Sequence, residues 1–234
     1  MMRTTIAMAV GLGLTGCGPN PADVDELKKG QKEILAKLDE LAKKVAAAPA
    51  AAARPQIDPN KVYDIAVGAS PVAGAKDGKI TIVEFSDYQC PFCGQAEPLM
   101  DQVVAAYPKD VKRVYKQFPL TSIHPNALPA SKAAVAAGKQ GKFWEMHKKL
   151  FDNQRELSAD NYKKWAQEIG LDMAQFEKDM SAPDVQAQID KEAQEARAAD
   201  VTGTPTIFVN GKRLMKRSFD GFKEVIDAAL QAKS

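Results

Sequence analysis

The chain has 234 residues, 45% of them hydrophobic and 26% charged, with 15 Gly, 14 Pro and three Cys. That composition excludes a collagen-like or wholly disordered chain, and three cysteines cannot staple a chain of this length, so the core comes from ordinary apolar burial. With 32 Lys and Arg against 30 Asp and Glu, the net charge of +2 argues against a nucleic-acid partner and against a polybasic membrane surface.

In chain order, residues 1–16 read as an export signal. Arg3 precedes an apolar run, Ile6 to Leu14, too short for a hydrocarbon core of about 30 Å, which takes roughly 20 residues. The run ends in Leu14-Thr15-Gly16-Cys17. This resembles the bacterial lipoprotein processing site, which implies cleavage before Cys17 and lipid on it. The protein is then expected in the cell envelope, held on the periplasmic side of a membrane by acyl chains worth about 0.8 kcal/mol per buried CH₂. The alternative is a plain signal cleaved elsewhere.

Residues 17–48 form the next segment. Val24, Leu27, Gln31, Ile34, Leu38, Leu41 and Val45 recur at alternating steps of three and four, a heptad seam on a predicted helix. Acids at its start (Asp23, Asp25) and Lys43 and Lys44 at its end suit the helix dipole. A strip this narrow can pair with another copy as a short coiled coil or serve as a spacer; Gly30 and Gln31 weaken it. Residues 49–60 are rich in Ala and Pro and read as a linker.

Residues 61–234 suffice for one domain. Ile80 to Phe85 is a short β-branched run, Pro91 to Tyr107 has helical spacing with Pro98 inside it, and Val111 to Phe118 reads as a strand; together they predict a βαβ unit. Helical patterns follow over about 120–200: Ala127 to Ala137, Phe143 to Phe151, Ser158 to Ile169, Asp172 to Met180 and Pro183 to Ala199. Their aromatics, Phe143, Trp144, Phe151, Trp165 and Phe176, are expected in the core. Thr206 to Val209, Asn210-Gly211 and Lys212 to Leu214 predict a hairpin, and Gly221 to Ala232 a closing helix.

Cys90-Pro91-Phe92-Cys93 falls at the junction of strand and helix. There the unpaired N–H groups and the helix dipole favour negative charge, so Cys90 is expected to ionise readily, as the attacking and attacked sulfur, with Cys93 resolving. Two other uses of a Cys-x-x-Cys compete. A zinc half-site needs two further ligands, and His124 and His147 stand in no paired motif. A structural disulfide across two residues closes too small a loop to add much stability. No metal and no cofactor beyond the redox-active pair is expected.

With Ile82-Val83-Glu84-Phe85 leading into Cys90-Pro91-Phe92-Cys93, and Gly203-Thr204-Pro205-Thr206 opening a late strand, the chain resembles the DsbA-like thiol-disulfide oxidoreductases of the thioredoxin-fold family, from about Val62 to Ala232. The resemblance implies an α/β thioredoxin fold with an inserted helical domain, here preceded by an N-terminal helix. It also implies that Thr204-Pro205 is the cis-proline loop that pairs with an extended substrate; from the residues alone Pro205 could equally begin an edge strand. Glu84 matches the family's buried acid, which moves protons for the resolving cysteine; a structural ion pair with a lysine is the alternative. His124 reads as a residue at a helix start or as a catalytic one, and His147 as structural.

The function implied is formation of disulfides in exported cysteine-containing proteins, with a membrane or soluble redox partner recharging the pair. Two features depart from the monomeric oxidases. Pro91-Phe92 supplies no imidazolium beside Cys90, and the heptad segment suits an oligomeric isomerase or reductase. A non-catalytic or metal-handling lipoprotein of the same fold is the remaining alternative.

Overall fold

A computed structural model describes residues 20–47 and 57–232. The export signal, Cys17 and most of the linker lie outside the described residues. The chain divides into two units, one ending at Ile57 and the other beginning at Asp58.

The first unit is one helix, α1 (Pro21–Ala47), with Asp23 in its first turn and Lys44 in its last. The seam read from the heptads is exposed: Leu27, Ile34, Leu38 and Leu41 are 55–73% accessible. Leu35, which the strict seam leaves out, is exposed beside them and widens the strip.

The second unit is built on a five-stranded sheet of order β1-β3-β2-β4-β5. Its strands are β1 (Val72–Gly74), β2 (Ile80–Ser86), β3 (Val111–Gln117), β4 (Thr206–Val209) and β5 (Lys212–Arg213). β2 and β3 are parallel and joined through α2 (Pro91–Ala106), the βαβ unit read from the sequence; the remaining pairs are antiparallel. β1 is the strand the sequence reading lacks. At three residues between Pro71 and a glycine it is too short to show an alternation.

Each face of the sheet has its own core, because side chains alternate along a strand. Ile80 and Ile82 pack with Met100 and Val103 of α2 and with Phe222 and Ile226 of α8 (Phe219–Gln231). Val83 and Phe85 face the other way, against Val114, Phe208 and Ala196. Between β3 and β4 run α3 (Ala127–Lys139), α4 (Phe143–Asp152), α5 (Ala159–Glu168), α6 (Met173–Met180) and α7 (Pro183–Ala198). Phe143, Trp165 and Phe176 are buried in the insert's core as expected, with Trp144 and Phe151 packed against it. Ser158, Asp172 and Ser218 cap α5, α6 and α8 by accepting from backbone N–H groups. In the β4–β5 turn Asn210 and Gly211 both have positive φ, 48° and 80°; a Cβ at Gly211 would also strike the Tyr63 carbonyl.

Candidate active site

The C-terminal end of β2 turns into α2 through Asp87, Tyr88 and Gln89, and Cys90 is the N-cap of the helix. Pro91 at the first helical position needs no N–H partner and presets the helical φ. The turn is over-determined. The buried Asp87 carboxylate accepts from the N–H groups of Gln89 (2.7 Å) and Leu120 (2.8 Å), and His124 Nδ1 lies 2.8 Å from it. Gln154, in a 3-10 turn after α4, donates to the carbonyls of Tyr88 (2.8 Å) and Cys90 (2.9 Å). Asp87 and Gln154 escaped the sequence reading, and His124 proves to be tied to Asp87.

Cys90 and Cys93 are unbridged, 5% and 0% accessible. The Cys93 thiol donates to the Cys90 sulfur, the largest influence on Cys90. Burial opposes ionisation, while the Thr204 side chain and the N–H groups of Cys93 and Phe92 favour it, and the Cys90 pKa falls to about 5. The helix-end N–H groups therefore contribute as expected, with the partner thiol contributing more. Burial, then the bond to Cys90, push the Cys93 thiol far up. One sulfur is poised as a thiolate and leaving group, the other as a thiol.

Across from the pair, the Thr204-Pro205 peptide is cis, and as a neutral thiol Cys90 donates to the Thr204 carbonyl at 3.4 Å. Arg217 Nη1 donates to the Pro205 carbonyl at 3.3 Å. Phe92 is 64% exposed, and a groove of about 350 Å³ runs beside it, lined by Gln95, Ala96, Leu99 and Arg217.

Beneath the pair, Glu84 is fully buried on the face it shares with Ile80 and Ile82. Its partner is Arg113 of β3, not a lysine: Arg113 Nη2 donates to Glu84 Oε2 at 2.8 Å. Burial raises the Glu84 carboxyl to about 7, against the Arg113 charge that lowers it. The Ser86 hydroxyl is near enough to Glu84 and to Cys93 to favour the charged form of each. Arg113 also donates to Glu97 Oε1 of α2 at 2.6 Å. Arg113 and Glu97 were not singled out from the sequence. The available signal was a cation inside a strand whose residues are buried on both faces.

Among the described residues no three His, Cys, Asp or Glu side chains gather as a metal ion would require, and none of the described helices is long and apolar enough to cross a membrane.

Comparison with known proteins gives a consistent result. A family model described as Thioredoxin matches residues 66–228. A thioredoxin-like oxidoreductase from Silicibacter pomeroyi DSS-3 is 31% identical, with a TM-score of 0.64 over 70% of this chain and 94% of that one. The thiol-disulfide exchange protein alpha-DsbA2 from Wolbachia pipientis is 19% identical, with a TM-score of 0.60 over 68% of this chain and 86% of that one, a likeness of fold. The Na(+)/H(+) antiporter NhaA 3 of Salinispora tropica is 37% identical over 71% of this chain but over 26% of its own length. The chain thus spans about a quarter of the curated relatives it matches.

Proposed function

This chain belongs to the thioredoxin family of oxidoreductases and has the fold of its DsbA-like members, and we propose that it catalyses thiol–disulfide exchange on exported proteins through Cys90 and Cys93, in the direction that forms disulfides. The observation that carries the reading is the placement of Cys90 at the start of α2, 3.4 Å from the Thr204 carbonyl, with Cys93 fully buried one turn on, an arrangement that favours the thiolate on Cys90 and the thiol on Cys93.

In the oxidised enzyme a client thiolate attacks the Cys90 sulfur, a client–Cys90 disulfide forms, and the Cys90–Cys93 bond breaks. Cys93 leaves with the electron pair and must gain a proton, because a thiolate there is buried. Glu84, whose carboxyl holds a proton up to about pH 7, supplies it. A second client thiolate then attacks the client's own sulfur in the mixed disulfide and expels Cys90, a good leaving group because its thiolate is stabilised. The client loses two electrons and the pair gains them. A membrane or soluble redox partner must remove them to recharge the pair. The backbone of Thr204 and the groove beside Phe92 hold the client segment extended.

The lipid anchor on Cys17 would place this chemistry on the periplasmic side of a membrane. The exposed strip of α1 supports a second reading, an oligomer that shuffles or reduces disulfides. Two measurements test the proposal. Cys90→Ser is expected to abolish exchange with a dithiol client, and retained turnover would sink the reading. The equilibrium reduction potential of the pair assigns its direction, since a pair as reducing as cytosolic thioredoxin, near −270 mV, is incompatible with disulfide formation.

A further inference from the structure

Glu84 does not have Arg113 to itself. The nitrogen that donates to it, Nη2, also donates to Glu97, and Arg113 is 2% accessible, so water does little to spread the charge. Glu84 and Glu97 share the one buried cation, and the exposed Asp101 lies 3.6 Å from its Nη1, so the cluster carries net negative charge and such a site retains one proton near neutrality. On Glu84 that proton lies on the Cys93 side of Arg113. On Glu97 it lies on the α4 side, away from the sulfurs.

The geometry around His147 of α4 decides between them. Its Nε2 lies 2.8 Å from Glu97 Oε2 and its Nδ1 3.1 Å from the Tyr88 hydroxyl, with the ring 4% exposed. The groups facing it are Glu97 and Asp101 from α2, Arg113 and Tyr115 from β3, and Tyr88 from the turn before Cys90; the rings of Phe143, Trp144 and Phe151 pack around it from its own helix. Burial keeps the Tyr88 phenol protonated and disfavours the charged imidazole. With the imidazole neutral, one arrangement gives an ionised Glu97 a donor: Tyr88 donates to Nδ1 and the ring hydrogen on Nε2 donates to Glu97, whereas the other tautomer needs the proton on Glu97 itself. Glu97 thus accepts from both His147 and Arg113, while Glu84 accepts from Arg113 and has only the weaker influence of the nearby Ser86 hydroxyl.

We propose that His147 is a positioning residue: by donating from Nε2 to Glu97 it keeps that carboxylate ionised and leaves the shared proton on Glu84, where Cys93 can take it. The use of that proton rests on the exchange reading; its location does not. When Cys93 leaves as a thiolate, the proton passes from Glu84 to sulfur and the new carboxylate stays paired with Arg113. No further reactant is needed.

The test is a carboxyl ¹³C titration of the full chain in its disulfide form, where neither Cys90 nor Cys93 titrates, with Glu84 and Glu97 assigned from E84Q and E97Q. In the parent protein the near-neutral step is expected on Glu84. In His147→Phe, which fills the space without a donor, the step moves to Glu97. In His147→Gln, whose amide nitrogen reaches the place of Nε2, it returns to Glu84. His147→Asn, which can still accept from Tyr88 but is too short to reach Glu97, is expected to match His147→Phe and serves where the phenylalanine variant does not fold. A near-neutral step that stays on Glu84 in the folded His147→Phe or His147→Asn protein overturns the proposal. A step that moves to Glu97 while client exchange keeps its rate supports the role of His147 and removes Glu84 from the exchange mechanism.

Discussion

At Cys90 the ionisation depends on a neighbour that the primary structure places three positions away. Its thiolate is stabilised first by the Cys93 thiol, then by N–H groups at the start of α2. Alkylation of the reduced protein by iodoacetamide is therefore expected to modify Cys90 alone, at a rate level above about pH 5 and falling below it. In Cys93→Ala the donor is lost and that midpoint moves upward toward the ordinary thiol value; an unchanged midpoint would show that the helix end suffices. The linkage has a definite sign. A thiol whose folded pKa is depressed stabilises the reduced fold above its unfolded value, near 9, and this contribution is lost as pH falls to about 5.

Glu84 has the opposite sign. Its folded pKa is raised to about 7 from 4.5, so the stability contributed by the protonated carboxyl is complete below about pH 4.5 and is lost as pH rises through 7. Glu84→Gln keeps the shape and removes the titration. Its thermal midpoint is expected to vary less than the parent's between pH 5 and 8, in melts of the disulfide form. The same variant is expected to slow formation of the mixed disulfide at Cys90, the step that expels Cys93, on the order of 10²-fold at pH 7, the size of a lost general acid, and to leave the later expulsion of Cys90 unchanged. Stopped-flow kinetics with a monothiol client, which goes no further than the mixed disulfide, isolates the first step, and a dithiol client adds the second.

Among the elements, α2 and the 3-10 turn after α4 hold the active-site turn between them. Gln154 donates two hydrogen bonds to that turn, each worth about 1 kcal/mol, so Gln154→Ala is expected to cost about 2 kcal/mol. Gly94 leaves the space in which the Gln154 side chain sits; a Cβ there would collide with its amide. Gly94→Ala can be accommodated only by moving Gln154 off both carbonyls. Gly94→Ala should then cost about 1 kcal/mol, the lost bonds being offset by about 1 kcal/mol because Ala is the better helix former, and the double variant no more than Gln154→Ala alone. Additive losses in urea denaturation would refute this coupling.

β3 carries a second buried cation, Lys116, 1% exposed, which donates to Glu195 of α7 at 2.7 Å and to Ser70 at 3.0 Å. Glu192 of α7 accepts from Ser70 and from the Gln117 N–H. α7 is thus joined to the sheet by charge as well as by the apolar contacts of Ala196.

For the protein as a whole, the open question of direction turns on α1. Five apolar side chains, Leu27, Ile34, Leu35, Leu38 and Leu41, are each more than half exposed on one helix, a strip that water disfavours and another copy of α1 can cover. If the strip associates, the full chain sediments as an oligomer, and the double variant Ile34→Glu/Leu38→Glu sediments as a monomer with the Cys90/Cys93 potential unchanged. Refolding of a scrambled-disulfide client then decides the function. Faster shuffling by the oligomer than by the monomeric variant assigns an isomerase, and equal rates leave the α1 strip without a catalytic role.

Local patterns in the chain were enough to define the βαβ unit, the helical insert, the hairpin at Asn210-Gly211 and the helix-end position of Cys90, because each depends on periodicity, capping or turn chemistry within a few residues. They were also enough to single out Glu84, as an acid on an otherwise apolar strand face. β1 was too short to show a period. The partners that give the site its character come from other elements: Arg113 from the neighbouring strand, Glu97 from the next turns of α2, His147 and Gln154 from the insert, and Asp87 in its bond to the loop at His124. A hydrogen bond between residues tens of positions apart leaves no periodic trace in the chain, and a carboxyl's proton affinity is set by the charges and the burial that folding gathers around it. The amino-acid order therefore placed the two sulfurs at the start of a helix, while tertiary packing decided that Glu84 answers to an arginine it shares with Glu97.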